Sequence, residues 1–376
     1  MVESAENTTV VIVGAGVAGL TLGNFLLRSG VSCTIVEKHS RAYVEKRQRA
    51  GTVDSRGVRM FREWELADVV KGGSSPKEIA GGTCIDGVRY PLGLGDDDTD
   101  AFLGAGGDLR FEALDVGLED LDSERPTVRY RNPDGSATTV TCDYVAGCDG
   151  FHGVSRASVP AEALTRYSHA YPYSWLSVLA EVPAAPFGMA IHDRGLAARF
   201  PRGADASRLY LQCPAGDTPE QWPDERIWSE LRSRFGADVP TGRIVDKRIV
   251  PLRSVVFSPM SYGRLHLLGD SAHLVPPMSA KGIHLALHDT EVFARAIIAK
   301  VQEDDASLLD GYSDTCLNHV WNYQAYAIWI TDLMHDAGDA SYQGAFRKQI
   351  ARAELQRLID SPTASRLYDE LSGGLL

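Results

Sequence analysis

The sequence predicts an α/β chain with α+β interleaving, in which a parallel-sheet lobe is interrupted by a mixed β-sheet lobe and closed by C-terminal helices. Three observations predict it. A β-branched run near the N-terminus stops at Gly14-Ala15-Gly16-Val17-Ala18-Gly19. Glycine and aspartate recur together far downstream, at Cys148-Asp149-Gly150 and Leu268-Gly269-Asp270. Between these lies a middle third of alternating apolar, aromatic and arginine residues, the signature of a sheet with one buried face.

The first element reads mechanically. Residues 8–13 form the apolar run of a buried parallel strand, and residues 17–28 a helix that Gly30 stops. Gly14, Gly16 and Gly19 let backbone approach a pyrophosphate, and Ala18 keeps the turn small; free N–H groups and the positive helix end stabilise that charge. A second strand over 32–36 delivers Glu37, eighteen residues after Gly19, where a carboxylate accepts hydrogen bonds from a ribose diol. This Rossmann-type turn alone does not choose between NAD and FAD. With the runs CDGFHGVSR and LLGDSAHLVPPMSAKG downstream, it points to FAD.

Composition sets wider bounds. A chain of 376 residues accommodates two interleaved lobes, and its hydrophobic (44%) and charged (23%) content is that of a folded globular protein. No apolar run is long enough for a membrane span and no signal segment precedes the first strand, so a cytoplasmic protein is expected. A net charge of −12 argues against nucleic acid and acidic membranes as partners. Six cysteines, at 33, 84, 142, 148, 213 and 316, show neither a CxxC pair nor clustered histidines, so no metal site or disulfide framework is expected.

Along the chain, GDDDTD at 95–100 reads as a solvated loop, and 108–115, 127–131 and 138–145 as strands of a meander, the last two joined by Asn132-Pro133-Asp134-Gly135. Residues 173–211 read as a second sheet with turns at 193–195 and 202–205. Helices are expected over 290–301 and about 308–334. The cofactor lobe is placed at 1–72, 101–165 and 262–376, and the inserted substrate lobe at 73–100 and 166–261.

VVIVGAGVAGL with Glu37, YVAGCDGFHGVSR and LHLLGDSAHLVPPMSAKGIHLALHD, in that order, together with YVEKRQRAGTVDSRG, LRSVVFSPM and WPDERIWSELRSRF, resemble the single-component flavoprotein aromatic hydroxylases over most of the chain. The resemblance implies a Rossmann-type FAD-binding lobe and an NAD(P)H- and dioxygen-dependent monooxygenase acting through a flavin C4a-hydroperoxide, with an aromatic acid as substrate and a homodimer as a common state. Asp270 follows a strand over 265–268 and precedes a helix-forming run. The resemblance implies that Asp270 meets the FAD ribityl chain, that Arg49 and its neighbour Arg47 meet the pyrophosphate, that Asp149 serves FAD, and that Lys281, Ile283 and His284 surround the flavin. Lys38, His39, Tyr43, Arg47, His152 and Arg253 fall on positions linked to the visiting nicotinamide coenzyme, with NADPH favoured over NADH by their positive character. An NAD-dependent dehydrogenase would not need the late GDSAHLVPP segment, and a flavin halogenase would show a Trp-x-Trp-x-Ile-Pro run that is missing here.

Substrate residues follow from the same resemblance. Arg202 and Tyr210 match the pair that holds the aromatic carboxylate, and Pro277 and Met278 match the pocket wall. Met189 stands where a tyrosine usually meets the substrate phenol, and Phe200 where a serine usually stands near the carboxylate. The tyrosines and histidine that draw off the phenolic proton align with Met189, Leu371 and Lys77, so that relay is expected to be dismantled. A ring activated by an amino group needs no phenol deprotonation, which favours an aminobenzoate or amino-hydroxybenzoate; 4-hydroxybenzoate with a rerouted relay is the alternative. The 94–108 segment is shorter than the family leads one to expect.

Overall fold

A computed structural model describes residues 4–46, 53, 55–68, 83–85, 88–90, 106–183, 188–202, 205–236, 239–337 and 344–373. Arg47, Arg49, Lys77 and the shortened stretch at 94–105 lie outside the described residues.

Sixteen strands are described: β1 (Ser4–Val13), β2 (Cys33–Val36), β3 (Thr83–Ile85), β4 (Val88–Tyr90), β5 (Asp108–Arg110), β6 (Leu114–Glu119), β7 (Thr127–Arg131), β8 (Ala137–Gly147), β9 (Thr165–Glu181), β10 (Gly188–His192), β11 (Gly195–Pro201), β12 (Ser207–Pro214), β13 (Arg243–Ser258), β14 (Ser261–Tyr262), β15 (Leu265–Leu267) and β16 (His273–Leu274). One sheet runs β14-β15-β8-β1-β2-β5, with β7 on β8 and β6 on β7. Its centre is parallel: Val11 pairs with Thr34 on one side and Val145 on the other. Val10, Val11 and Ile12 are fully buried because both faces of a parallel strand are covered. The helix Val17–Arg28 matches the predicted span, and the meander closes on β7 and β8 antiparallel.

The second sheet, β10-β11-β12-β9-β13-β16, pairs antiparallel throughout, so the mixed pairing expected of the inserted lobe resides in the nucleotide sheet. One face packs Leu176, Val178, Leu209 and Leu211 under the helix Asp224–Phe235, through Ile227, Trp228 and Leu231. The other face carries Tyr171, Tyr173 and Trp175, with Tyr210 and Met278 packed against them. Short β16 belongs to this sheet although it follows the GD turn, so the late nucleotide segment crosses from one sheet to the other.

The strand expected over 108–115 is two strands, because Glu112 takes positive φ between them; Asp115, also at positive φ, lies within the second, where the pairing shifts between Leu114 and Gly117. The helix expected over 290–301 is the middle of Gly282–Glu303, and the one expected over 308–334 is divided at Gly311 into Ser307–Asp310 and Tyr312–Asp336. Two more helices, Gly344–Asp360 and Pro362–Gly373, close the chain. No helix among the described residues is long and apolar enough to cross a membrane.

Candidate functional site

The three glycine and aspartate segments meet at the C-terminal ends of adjacent parallel strands, where open α/β sheets bind ligands. The Cys148 N–H donates to the Val13 carbonyl at 2.8 Å, and the Leu268 N–H to the Gly147 carbonyl at 3.0 Å. The Ser271 hydroxyl donates to the Gly147 carbonyl at 2.6 Å, tying the third segment to the second. Gly14 has φ +105°, and a Cβ there would lie 2.6 Å from the Cys148 carbonyl oxygen, so only glycine permits the first and second segments to touch. Gly16, by contrast, would meet nothing within 4 Å. The chain thus leaves open space beside the backbone where a pyrophosphate would approach. Ala18 borders the same corner, 3.9 Å from the Cβ position of Gly269.

Glu37 is buried and held from both sides, its Oε2 accepting from Ala15 N–H at 2.8 Å and its Oε1 from His39 N–H at 2.9 Å. Each carboxylate oxygen keeps a lone pair for a ribose hydroxyl. Asp149 accepts the Ser155 N–H at 2.9 Å through Oδ2, while its buried Oδ1 has no hydrogen-bond partner among the described residues. Burial pushes its carboxyl above the usual range, against the Ser155 hydrogen bond. An orphaned buried acceptor beside an open glycine turn is what a dinucleotide with hydroxyl donors would satisfy.

Asp270 does not precede a helix directly, as the sequence suggested. It lies in the single 3₁₀ turn Gly269–Ser271, and β16 and a second turn, Pro277–Ser279, intervene before the helix Gly282–Glu303. The reason is the buried acid Asp289, which accepts from the Gly269 N–H at 2.9 Å and meets His273 Nε2 at 2.7 Å, pinning this crossover onto the helix. Gly282, Ile283 and His284 form the first turn of that helix, whose N-cap Lys281 provides no side-chain cap. Their N–H groups therefore face outward without helical acceptors, a seat for negative charge. Lys281 is fully buried; its Nζ donates to the Ser372 carbonyl at 2.6 Å and lies 3.1 Å from His284 Nδ1. The first turn of that helix is thereby fastened to the helix Pro362–Gly373.

The antiparallel sheet offers the second half of the site. Met189 pairs with Ala198, Ala198 with Tyr210, and Tyr210 with Ser177, so these side chains form one row on one face. Phe200 lies on the same face and meets Tyr210 edge to face at 5.7 Å, and Trp175 packs on Tyr210 at 4.8 Å. Ala198, 1% exposed, leaves a shallow floor between Met189 and Tyr210. Arg202 follows β11 and donates to the Pro201 carbonyl at 3.1 Å. Burial lowers its pKa, with Tyr210 close enough to oppose that shift and Arg208 adding to it. Met278 packs against the same aromatic cluster from the Pro277 turn, so the two lobes face each other across this row.

Of the predicted residues, the structure brings together Gly14, Gly16, Ala18, Gly19, Glu37, Asp149 and Asp270 at one end, and Met189, Phe200, Arg202, Tyr210 and Met278 at the other. Lys38 is exposed, and His39 and Tyr43 stack at 4.0 Å on the outer side of Glu37. His152 and Arg253 are apart from these in sequence and share Phe151 as a neighbour, His152 edge-on at 5.1 Å and the Arg253 guanidinium 4.3 Å above the ring. Sequence reasoning missed Trp175 and His335. The Trp175 indole N–H donates to His335 Nε2 at 2.7 Å, and His335 Nδ1 lies 2.6 Å from the Thr331 carbonyl, which can only accept, so this fully buried imidazole is neutral with its proton on Nδ1. The alternation Tyr171, Tyr173, Trp175 marked that face; nothing in the sequence tied it to a histidine 160 residues on.

A glycine-rich cradle on a parallel sheet, facing an aromatic-lined antiparallel sheet, is the two-sheet arrangement of a flavoprotein. The chain belongs to the FAD binding domain family, which matches residues 7–327, and is an FAD-dependent aromatic hydroxylase. It is 33% identical over 394 residues to the p-hydroxybenzoate hydroxylase of Acinetobacter baylyi, covering 98% of this chain and 95% of that one. It is also 28% identical over 334 residues to a 3-(3-hydroxy-phenyl)propionate/3-hydroxycinnamic acid hydroxylase of Mycolicibacterium smegmatis, where 81% of this chain spans 57% of that longer protein. In fold it is similar to the p-nitrophenol 4-monooxygenase of Pseudomonas putida DLL-E4, with a TM-score of 0.76 at 17% identity, covering 98% and 99% of the two chains. It is likewise similar to an aromatic hydroxylase from angucycline biosynthesis, with a TM-score of 0.75 at 21% identity over 98% and 76%.

Proposed function

We propose that this hydroxylase acts on a benzoate-type carboxylic acid whose ring is activated by an amino group, an aminobenzoate or amino-hydroxybenzoate. The observation that carries the reading is the row Met189, Ala198, Tyr210 beside Arg202: a partly buried guanidinium and a phenol at one end, and a thioether at the other. Arg202 and Tyr210 hold the carboxylate by charge-assisted hydrogen bonds, and Phe200 and Trp175 flank Tyr210 without competing for the anion. Met189 neither donates to nor takes a proton from a ring substituent, so the residues lining the row assist a substrate that needs no phenolate. Pro277 and Met278 close the pocket from the flavin side and keep water out.

When bound, FAD would accept hydride from NAD(P)H and activate dioxygen; the chain's own task is to hold, orient and dry. Gly14, Gly16, Glu37, Asp149 and Asp270 would hold its dinucleotide, and the first turn at Ile283 and His284 its ring. Lys38, His39, Tyr43, His152 and Arg253 would receive the coenzyme on the outer side.

A second reading, 4-hydroxybenzoate with a rerouted proton path, has one observation in its favour. Tyr368 sits one turn before Leu371 on the last helix, and its hydroxyl accepts a hydrogen bond from buried Tyr326. A panel of hydroxy- and aminobenzoates, followed by coenzyme oxidation and product mass, separates the two. Oxygenated product from aminobenzoates supports the first reading, and clean turnover of 4-hydroxybenzoate alone overturns it.

A further inference from the structure

Tyr210 depends on its neighbours for the place of its ring. Its direct partner across the β9–β12 pairing is Ser177, too small to hold an aromatic side chain. The ring is held instead by two diagonal neighbours, Trp175 on β9 at 4.8 Å and Phe200 on β11 at 5.7 Å. Phe200, a hydrocarbon ring, can be fixed only by packing. Trp175 is fixed by a hydrogen bond as well, from its indole N–H to His335 Nε2 at 2.7 Å.

His335 is set for that one contact. It is fully buried near the end of the helix Tyr312–Asp336, and the Thr331 carbonyl one turn back takes its Nδ1–H at 2.6 Å, so Nε2 is left as the acceptor. Tyr173 lies flat on the imidazole, with ring centroids 4.6 Å apart and planes 8° from parallel, which fixes the plane of the ring. The next residue, Asp336, is fully buried and accepts from Arg347 Nε at 3.1 Å, tying this last turn to the helix Gly344–Asp360. Backbone, ring plane and tautomer are all held, and with them the direction from which an indole N–H can approach. In this apolar cluster an indole N–H without an acceptor is costly, so the bond decides where Trp175 rests.

We propose that His335 is a positioning residue for the aromatic acid. By accepting the Trp175 indole N–H it fixes the wall against which the Tyr210 ring is set, and so places the Tyr210 hydroxyl for the carboxylate. The role rests on the reading that Arg202 and Tyr210 hold that carboxylate, and it does not depend on whether the ring carries an amino or a hydroxyl group.

The test titrates the FAD-loaded enzyme with 4-aminobenzoate and with 4-hydroxybenzoate, which share the carboxylate, and follows flavin fluorescence. The variants are His335→Phe, His335→Gln, Tyr210→Phe, Arg202→Ala and the double variant His335→Phe with Tyr210→Phe, each at a temperature where it is fully folded. His335→Phe keeps a flat ring against Tyr173 and loses the acceptor. It should raise the Kd about tenfold, the effect of losing one hydrogen bond to a charged group, with flavin content unchanged. His335→Gln, whose amide oxygen can accept the indole N–H, should recover part of that loss. The double variant should bind no more weakly than Tyr210→Phe alone, because both changes remove the same contact. A residue serving only the fold would weaken binding equally in both backgrounds. An unchanged Kd in His335→Phe, or full additivity with Tyr210→Phe, overturns the proposal while leaving the clamp in place. An unchanged Kd in both Tyr210→Phe and Arg202→Ala removes the carboxylate clamp itself, and the role of His335 with it.

Discussion

Arg202→Ala separates a substrate clamp from a structural arginine. In the structure the guanidinium is half-buried, donates to the Pro201 carbonyl and, among the described residues, has no carboxylate within ion-pair distance. Burial lowers its pKa with only Tyr210 opposing, so the free protein holds this charge at a cost. Removing it should leave the stability of the free enzyme unchanged or slightly raised, because no native ion pair is broken. Substrate binding should behave in the opposite way. Taking one partner from a hydrogen-bonded charge pair costs about 2 to 4 kcal/mol, which is roughly thirtyfold to several hundredfold in Kd. The assay is a substrate titration followed by flavin fluorescence, paired with urea unfolding of the same variant. An unchanged Kd would remove Arg202 from the site, and a destabilised free protein would show that the guanidinium serves the fold.

Three other outcomes follow from the same contacts. Gly14→Ala places a methyl 2.6 Å from the Cys148 oxygen at a φ of +105°, so the variant should purify without flavin; absorbance of the purified protein checks this, and full flavin content would contradict the cradle. His335→Phe leaves the buried Trp175 indole N–H without an acceptor and should cost about 1 to 3 kcal/mol in urea unfolding, whereas an unchanged midpoint would dismiss that bond. Burial pushes His266 down to about 4 and His288 down to about 2, in the latter case with His319 and Arg56 adding. Both are neutral when folded and take a proton when unfolded below their ordinary value of 6.5, so stability is intact above that pH and declines as pH falls toward 4. The slope is up to about 1.4 kcal/mol per pH unit for each histidine. His266→Phe, which keeps the ring among Phe293 and Tyr312, should flatten that decline in a pH series of urea midpoints; an identical slope would refute it.

Much of the nucleotide end was legible because its constraints are local. A glycine that must touch another strand, a β-branched run buried on both faces and a carboxylate at the end of β2 each leave a mark in the sequence. Residues 17–28 matched to the residue for the same reason, since Gly30 and the apolar spacing bound the helix from within. The substrate end was legible only in part. Met189, Phe200, Arg202 and Tyr210 were named singly, but the register that sets Met189 and Tyr210 in one row depends on a hairpin whose pairing no local pattern specifies. Asp270 was misread as preceding a helix because the pinning group, Asp289, acts from 19 residues away through backbone and His273. Trp175 and His335 escaped notice because neutral buried polar pairs carry no charge pattern.

The most direct measurement is the mass of the product formed from an aminobenzoate by the purified, flavin-bearing enzyme with NADPH under isotopically labelled dioxygen. The account predicts a product that has gained one labelled oxygen atom for each coenzyme oxidised. Coenzyme consumed with no labelled product from any aromatic acid, or oxygen arriving from water, would contradict it.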